Sequence, residues 1–381
     1  MTFAIAGSDP IKKLKVAVVG LNFGKTFVEE HLLSKRAKQF FELAGVCDAN
    51  SPLCASVAED HQVKGYTALD ELLKNSEISV IILMTGPNGR ANLIRKIIRA
   101  GKDCMTTKPF EMNAAEAASV LKEARSLGRI VYLNSPCPVE SRDWQIIREW
   151  CETYDLGRPV GGHHESWYKV IEKADGKWYD NLEDCPAAPI VRLGIYGVND
   201  LLRILGEAEE IQVMHTRLFT GRPTSDYARM NIKFKNGALA DTLCGFVTSP
   251  ERNESSLILY FERGTIYRNP PMLPGKPIRY NTVDSTYLCL CMGDKSDGMP
   301  IETIRIPNDD LSLGYKWEAF YKAVTTRQRP RDETPDELII NSINVFEALK
   351  KASKSGATVK VPSINAHTPP GRSESLKLTL A

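Results

Sequence analysis

The sequence predicts two domains of different class. The first is an α/β domain on a doubly wound parallel sheet, and the second is an α+β domain with an open, mostly antiparallel sheet and helices on one face. Three observations predict this. Between Leu14 and Leu133, apolar runs of strand length alternate with segments of helical length, the pattern of repeated βαβ units. Those runs are nearly continuous in apolar character, as strands buried on both faces require. After Asn134-Ser-Pro-Cys-Pro138 the chain changes to alternating apolar and polar segments joined by turn signals such as Asn236-Gly237 and Arg263-Gly264, the mark of an antiparallel sheet.

Taken in order, Leu14–Val19 is a buried strand ending at Gly20. Residues 24–35 form a helix, 42–47 a strand ending at Asp48, and 51–60 a helix. The strand Val80–Met84 precedes a helix over 89–100, and the strand Asp103–Thr106 leads through Lys108-Pro109 into a helix at 113–127 and the strand Ile130–Leu133. This sets the first domain at 14–135, behind a polar leader at 1–13. The second domain, 136–363, opens with a helix at 138–153, the strand Val160–Tyr168 and a polar loop from Lys169 to Ala188. A helix from Val191 to Leu205 follows, then strands at 209–218, 227–235, 238–247, 255–261, 264–268 and 285–291. Helices at 314–326 and 335–353 close the domain, and 364–381 is an extended tail.

Composition excludes several classes of function. The 381 residues include 49 basic and 47 acidic, a net charge of +2, with no block of either sign to meet nucleic acid or an anionic membrane. No apolar run reaches the ~18 residues a membrane helix needs, and Phe3–Ala6 is too short for the core of a signal peptide. The nine cysteines are scattered and lack the paired spacing of a zinc site. They are expected as buried free thiols in a reducing compartment, so the expected location is cytoplasmic and no metal is expected.

The chemistry begins at Gly20-Leu21-Asn22-Phe23-Gly24, where a strand turns into a helix. Glycine at such a turn lets the backbone approach a pyrophosphate. Asp48, at the end of the second strand, stands where a carboxylate binds the adenosine ribose hydroxyls. An acid there favours NAD over NADP, with NADP possible. Thr85-Gly86-Pro87, at the end of the next strand, lies over the middle of a bound dinucleotide, with Arg90 opening the next helix. Together these describe a Rossmann domain. Thr107-Lys108-Pro109, at the following strand end, places a lysine beside the nicotinamide. On the helix 191–205, Arg192, Tyr196, Asn199 and Arg203 recur at helical spacing and so share one face. Tyr196 is the candidate proton relay. Lys108 is expected to lower its pKa and hold the reacting oxygen.

The order Gly20–Gly24, Cys47-Asp48, Thr85-Gly-Pro, Ala100-Gly-Lys-Asp-Cys104 and Thr107-Lys-Pro resembles the glucose–fructose oxidoreductase/inositol dehydrogenase (Gfo/Idh/MocA) family. So do Gly157-Arg-Pro-Val160 and Leu193-Gly-Ile-Tyr-Gly-Val-Asn199, which is similar to the glucose–fructose oxidoreductase version of the family's catalytic helix. The resemblance spans roughly 14–360. It implies an NAD(P)-dependent oxidoreductase that interconverts a hydroxyl and a carbonyl on a sugar, glycoside, cyclitol or related polyol, with Lys108 and Tyr196 as catalytic residues. It also implies a homodimer or homotetramer formed through the second-domain sheet. The chain departs from the family at Thr107, where Glu is usual, and at Arg192, where Asp is frequent. Arg192 would favour an anionic substrate or pair with Asp200, and Asn199 remains able to bind a hydroxyl. His163, Glu165 and Trp167 alternate along one strand face; turned toward the crevice, Trp167 would stack on a sugar ring. Two other readings stay open: a glycoside-processing enzyme that oxidises a ring hydroxyl transiently on tightly held NAD, and a non-catalytic NAD(P)-binding regulator.

Overall fold

The computed structural model describes residues 11–169, 173–218, 220–246, 254–270, 285–293, 299–307, 315–329 and 334–363. Residues 1–10 of the expected leader and the expected tail at 364–381 lie outside the described residues.

The first domain contains β1 (Leu14–Val19), α1 (Leu21–Phe27), β2 (Phe41–Cys47), α2 (Ser51–His61), β3 (Lys64–Tyr66), α3 (Leu69–Leu73), β4 (Val80–Leu83), α4 (Arg90–Arg99), β5 (Asp103–Thr106), α5 (Ala114–Ser126) and β6 (Val131–Leu133). The strands form a parallel sheet in the order β3-β2-β1-β4-β5-β6, the doubly wound Rossmann order whose crevice lies beyond the carboxyl ends of β1 and β4. The expected parallel sheet is therefore present. Periodicity missed β3 and α3. β3 has three residues, two of them exposed, too few to leave an apolar signature. The first helix begins at Leu21, earlier than expected, because Gly24 lies within its first turn. A Cβ at Gly24 would come 3.0 Å from Cγ1 of Val18, so glycine lets this helix lie close on β1.

The second domain contains α6 (Arg142–Thr153), β7 (Pro159–Tyr168), a turn of π-helix at Ile190–Gly194, α7 (Ile195–Leu205), β8 (Ala208–Thr216), β9 (Tyr227–Phe234), β10 (Leu239–Phe246), β11 (Glu254–Phe261), β12 (Gly264–Arg268), β13 (Ser285–Met292), β14 (Glu302–Pro307), α8 (Trp317–Thr326), α9 (Asp336–Ser355) and β15 (Val359–Lys360). Helix α6 starts four residues later than expected, since the chain is still extended at Ser141, its N-cap residue. The sheet order is β14-β13-β12-β11-β7-β10-β9-β8-β15. All of its pairings are antiparallel except β7 with β10, which run parallel at its centre. The expectation of a mostly antiparallel sheet holds, with two edge strands added. β14 escaped notice because half of its residues are exposed, and β15 because it has two residues.

Helix α8 does not close the second domain. Its Phe320 stacks on Phe41 at 5.6 Å and lies 5.0 Å from Tyr132, so it covers one face of the first-domain sheet. Helix α9 joins both units. Ile339, Ile340 and Ile343 enter the first-domain core, while Val345, Phe346 and Leu349 enter that of the second. Among the described residues no helix is long and apolar enough to cross a membrane.

Candidate active site

At the carboxyl end of β1 the chain turns through Gly20, whose φ of +88° lies in the region only glycine enters freely. A Cβ there would sit 3.0 Å from the Met84 carbonyl carbon and the Thr85 nitrogen, so this turn lies flush against the end of β4. Asn22 and Phe23 are exposed at the turn, with Leu21 and Gly24 buried behind them. Asp48 reaches across from β2. One of its carboxylate oxygens accepts the Leu21 N–H at 2.7 Å and the other accepts the Asn50 N–H at 2.8 Å. Each oxygen retains acceptor capacity, so the carboxylate is aimed and able to take ribose hydroxyls. The Thr85 hydroxyl oxygen is buried with no partner among the described residues. A close-approach glycine turn, an oriented carboxylate and a partnerless buried hydroxyl at the same strand ends fit a dinucleotide. Gly20–Gly24, Asp48 and Thr85–Pro87 are the residues that would hold it.

Arg90 has a different role from the one its sequence position suggested. It is buried, and its guanidinium donates to the carbonyls of Thr85, Thr107 (2.5 Å), Pro109 and Phe110 (3.3 Å). Its two terminal nitrogens donate to the backbone, so it pins the β4 turn to the Thr107-Lys108-Pro109 segment. Glu111 completes the brace by accepting the N–H groups of Gly89 (3.2 Å) and Ala91 (2.8 Å) at the start of α4 and that of its own neighbour Met112 (2.7 Å).

Lys108 and Tyr196 do converge. The Lys108 ammonium lies 5.0 Å from the centre of the Tyr196 ring and donates to the Arg192 carbonyl in the π-turn. Asn134, directly after β6, accepts the Lys108 backbone N–H at 2.9 Å, and its side chain is near enough to the Tyr196 phenol to offset part of the rise in its pKa. The electrostatics reverse the sequence expectation. Burial, reinforced by Arg192 and Arg90, pulls the Lys108 ammonium down to about 7. Tyr196 as a residue is 37% exposed, but the burial around its phenol, with Tyr315 and Tyr168 nearby, holds that group above its usual value. Lys108 is set over the face of the ring and does not stabilise a phenolate. Near neutral pH the lysine changes charge and the tyrosine stays neutral.

The remaining expected site residues divide into those near this pair and those apart from it. Arg192 stays at the crevice, its guanidinium 4.0 Å from the Tyr179 ring and 5.2 Å from Phe246. The single helical stripe is broken, because the π-turn at 190–194 inserts an offset between Arg192 and Tyr196. Asn199 is buried and donates to the Ser135 hydroxyl at 3.0 Å. Arg203 lies 5.5 Å from the Trp144 ring and donates to Thr334. Asp200 is turned away from the crevice, accepting from Trp144 Nε1 at 3.0 Å and from Arg268. It therefore neither pairs with Arg192 nor faces a substrate. The β7 face was also assigned the wrong way round. His163 pairs with Asp241 at 3.0 Å, and Trp167 lies 5.6 Å from Tyr227, both contacts made along the sheet. The other face meets α7: a Cβ on Gly197 would overlap the His164 ring, and one on Gly162 would come 2.7 Å from Leu201.

The sequence missed Asn134, Tyr168 and Tyr315. Asn134 alone had a usable signal, its place at the carboxyl end of a parallel strand. Trp178 packs on Gly86, where a Cβ would lie 3.3 Å from its ring, so the loop after β7 crosses to the first domain. No group of three or more His, Cys, Asp or Glu among the described residues could hold a metal ion. All nine cysteines lack disulfide partners.

Comparison with known proteins agrees with this architecture. Residues 14–135 match the model of an oxidoreductase family with an NAD-binding Rossmann fold, and residues 144–267 match the GFO/IDH/MocA C-terminal domain. An uncharacterized oxidoreductase of Schizosaccharomyces pombe is 28% identical over 203 residues, 52% of this chain and 53% of that one. Galactose 1-dehydrogenase of Pseudomonas fluorescens is 26% identical over 147 residues, 38% of this chain and 44% of that protein. These matches span about half the length of the curated relatives. Among solved structures, levoglucosan dehydrogenase in complex with NADH superposes with a TM-score of 0.70 at 14% identity, covering 92% of this chain and all of the other. GenD2 from gentamicin A biosynthesis, in complex with NAD, gives 0.70 at 16% identity over 95% of this chain and all of that one. At such identities the structures speak for the fold, and the family matches for descent. The chain belongs to the Gfo/Idh/MocA oxidoreductase family and carries its NAD-binding Rossmann domain.

Proposed function

We propose that this oxidoreductase interconverts a hydroxyl and a carbonyl on a sugar, glycoside, cyclitol or related polyol, using NAD. The observation that carries the proposal is the meeting of Lys108 from one domain with Tyr196 from the other, 5.0 Å from ammonium to ring centre. Bound NAD supplies the hydride acceptor at this junction. In the oxidising direction, Lys108 as a free amine takes the proton of the substrate hydroxyl. Tyr196, kept as a neutral phenol, donates a hydrogen bond to the same oxygen. Asn134 fixes the Lys108 backbone by accepting its N–H. Asp48 supports a preference for NAD, since its carboxylate would repel a 2′-phosphate. Sugar-acting dehydrogenases among the similar proteins support the substrate class.

The face of the second-domain sheet away from α7 is proposed as the contact between copies, as a homodimer or homotetramer. Leu239, Met214 and Tyr260 are 65%, 76% and 41% exposed there, among charges of both signs such as Glu210, Lys233 and Asp241, a pattern that complements itself across a two-fold axis. The free cysteines support a reducing, cytoplasmic location.

The test is to incubate the protein with NAD or NADP against a panel of sugars, glycosides, cyclitols and sugar acids, following nicotinamide fluorescence. Turnover with NAD is expected, with oxidation rising as Lys108 loses its proton near pH 7. Lys108→Ala and Tyr196→Phe should each lower it by about 10²-fold or more. A substrate turned over equally well by both variants would defeat the mechanism.

A further inference from the structure

The strand face that meets the catalytic helix ends in an aromatic residue that the proposed reaction does not use. On β7 the face of Gly162, His164, Ser166 and Tyr168 is the one turned toward α7, since a Cβ on Gly162 would come 2.7 Å from Leu201 and the His164 ring fills the space where a Cβ on Gly197 would lie. Tyr168 is the last residue of that strand and is half-buried. It pairs in register with Phe246 of the parallel strand β10. Registered partners in a parallel pair point to the same side, as the 2.7 Å contact between the neighbouring pair His164 and Thr242 confirms. Phe246 in turn lies 5.2 Å from the guanidinium of Arg192, in the π-turn whose carbonyl receives Lys108. Tyr168 is thereby set at the crevice end of the sheet, beside Phe246 and opposite the turn that carries Arg192 into Tyr196.

The support behind it is polar and rigid. His164 is buried, with one ring nitrogen 2.7 Å from Thr242 Oγ1 and the other 2.8 Å from Ser166 Oγ. Burial lowers its pKa to about 3, so it stays neutral and the chain of hydroxyls keeps one arrangement across the working pH range. Ser166 is fully buried directly between His164 and Tyr168 on this face. An aromatic ring on so fixed a strand end, carrying a hydroxyl and only half covered, has the chemistry of a sugar subsite, with an apolar face for C–H groups and a polar tip for a hydroxyl.

We propose that Tyr168 is the substrate-contacting aromatic of this site, stacking on the ring of a polyhydroxylated substrate and binding one of its hydroxyls. This inference rests on the proposed polyol chemistry and gives Tyr168 the role that strand alternation alone had suggested for Trp167. Its test reads binding separately from turnover. Wild type, Tyr168→Ala, Tyr168→Phe, Trp167→Ala and Tyr196→Phe are saturated with NADH and titrated with the sugar, glycoside or cyclitol that most raises the wild-type melting temperature. Tyr168→Ala should weaken that ligand at least tenfold, Tyr168→Phe about threefold, and Trp167→Ala less than twofold, with NADH affinity within twofold of wild type throughout. The Phe variant keeps the packing, so its threefold loss stands even where the Ala variant folds poorly. Unchanged ligand affinity in both Tyr168 variants, an effect at Trp167 in their place, or a wild type that binds nothing in the panel would overturn the inference. Tyr196→Phe that binds normally and does not turn over leaves it intact while testing the reaction itself.

Discussion

Replacing Lys108 by Met should make the stability of the protein respond differently to pH, and the size of the effect follows from the site. The ammonium is held down to about 7 from an ordinary value of 10.5, so the folded chain binds this proton less tightly than the unfolded chain. Between pH 7 and 10.5 the unfolded state carries more of the proton, and stability therefore rises with pH across that window. Below pH 7 both states are protonated and the penalty is complete. Worked through the linkage relation, the Lys108 contribution changes by about 2.7 kcal/mol between pH 6 and pH 9. Because Lys108 keeps some exposure to the crevice, water screens part of this, and about 1–2 kcal/mol is expected. Methionine retains the apolar stem and removes the charge, so the variant lacks this dependence. The assay is urea unfolding followed by tryptophan fluorescence at pH 6, 7.5 and 9, with wild type and variant compared at each pH. The variant's stability relative to wild type should be highest at pH 6 and fall as pH rises. A difference constant within about 0.5 kcal/mol over that range, or one of opposite slope, would refute the assignment of Lys108 as the group that titrates near neutrality.

Three further outcomes are expected. Asp48→Asn removes the negative charge at the β2 end and keeps an acceptor for only one of the Leu21 and Asn50 N–H groups, which use different carboxylate oxygens, so NAD should bind about tenfold more weakly and the preference over NADP should narrow; titration of both nucleotides by protein fluorescence measures this. Gly197→Ala drives a methyl group into the His164 ring, which should cost about 1–3 kcal/mol in urea unfolding and lower kcat more than it raises KM, since the adjacent Tyr196 is displaced. Arg268→Met leaves Asp143 and Asp200 facing each other without the guanidinium that reaches both, and unfolding at pH 7 should show a loss of about 3–5 kcal/mol, with part of it recovered at pH 5 as a carboxyl takes up a proton.

What the sequence disclosed, and what it withheld, follows from the range of each signal. The parallel sheet was legible because β1, β4 and β5 are buried on both sides and write near-continuous apolar runs. Lys108 and Tyr196 were legible because each lies at a fixed place relative to a local element, a strand end and a helix. Period two along β7 separated His163, Glu165 and Trp167 from His164, Ser166 and Tyr168 correctly. It could not say which set meets α7, because both sets are polar and aromatic in equal measure. The deciding facts are Gly162 and Gly197, which admit Leu201 and the His164 ring, and those are contacts between elements far apart in sequence. Asp200 was misplaced for a similar reason, since its partner Arg268 arrives from β12 and nothing in helix α7 announces it. The sign of the Lys108–Tyr196 coupling was illegible because desolvation, the largest influence on both, depends on how the two domains close.

That closure is itself a packing problem, and α9 shows how it is solved. The reacting pair exists only where the domains meet, with Lys108 on one and Tyr196 on the other. Helix α9 runs 20 residues, about 30 Å at the usual rise, and inserts Ile339, Ile340 and Ile343 into the first-domain core and Val345, Phe346 and Leu349 into the second. At about 1.5–3 kcal/mol for each fully buried aliphatic or aromatic side chain, sliding one domain over the other would expose several such residues at once. Helix α8 adds Trp317 and Phe320 to the first-domain sheet from the far end of the chain, and Arg327 beyond it reaches the buried Asp103 at 2.6 Å. Domain opening is therefore opposed by the apolar burial on α9, while α8 and its ion pair fasten the far end of the chain to the first domain. The geometry between Lys108 and Tyr196 is held by the fold.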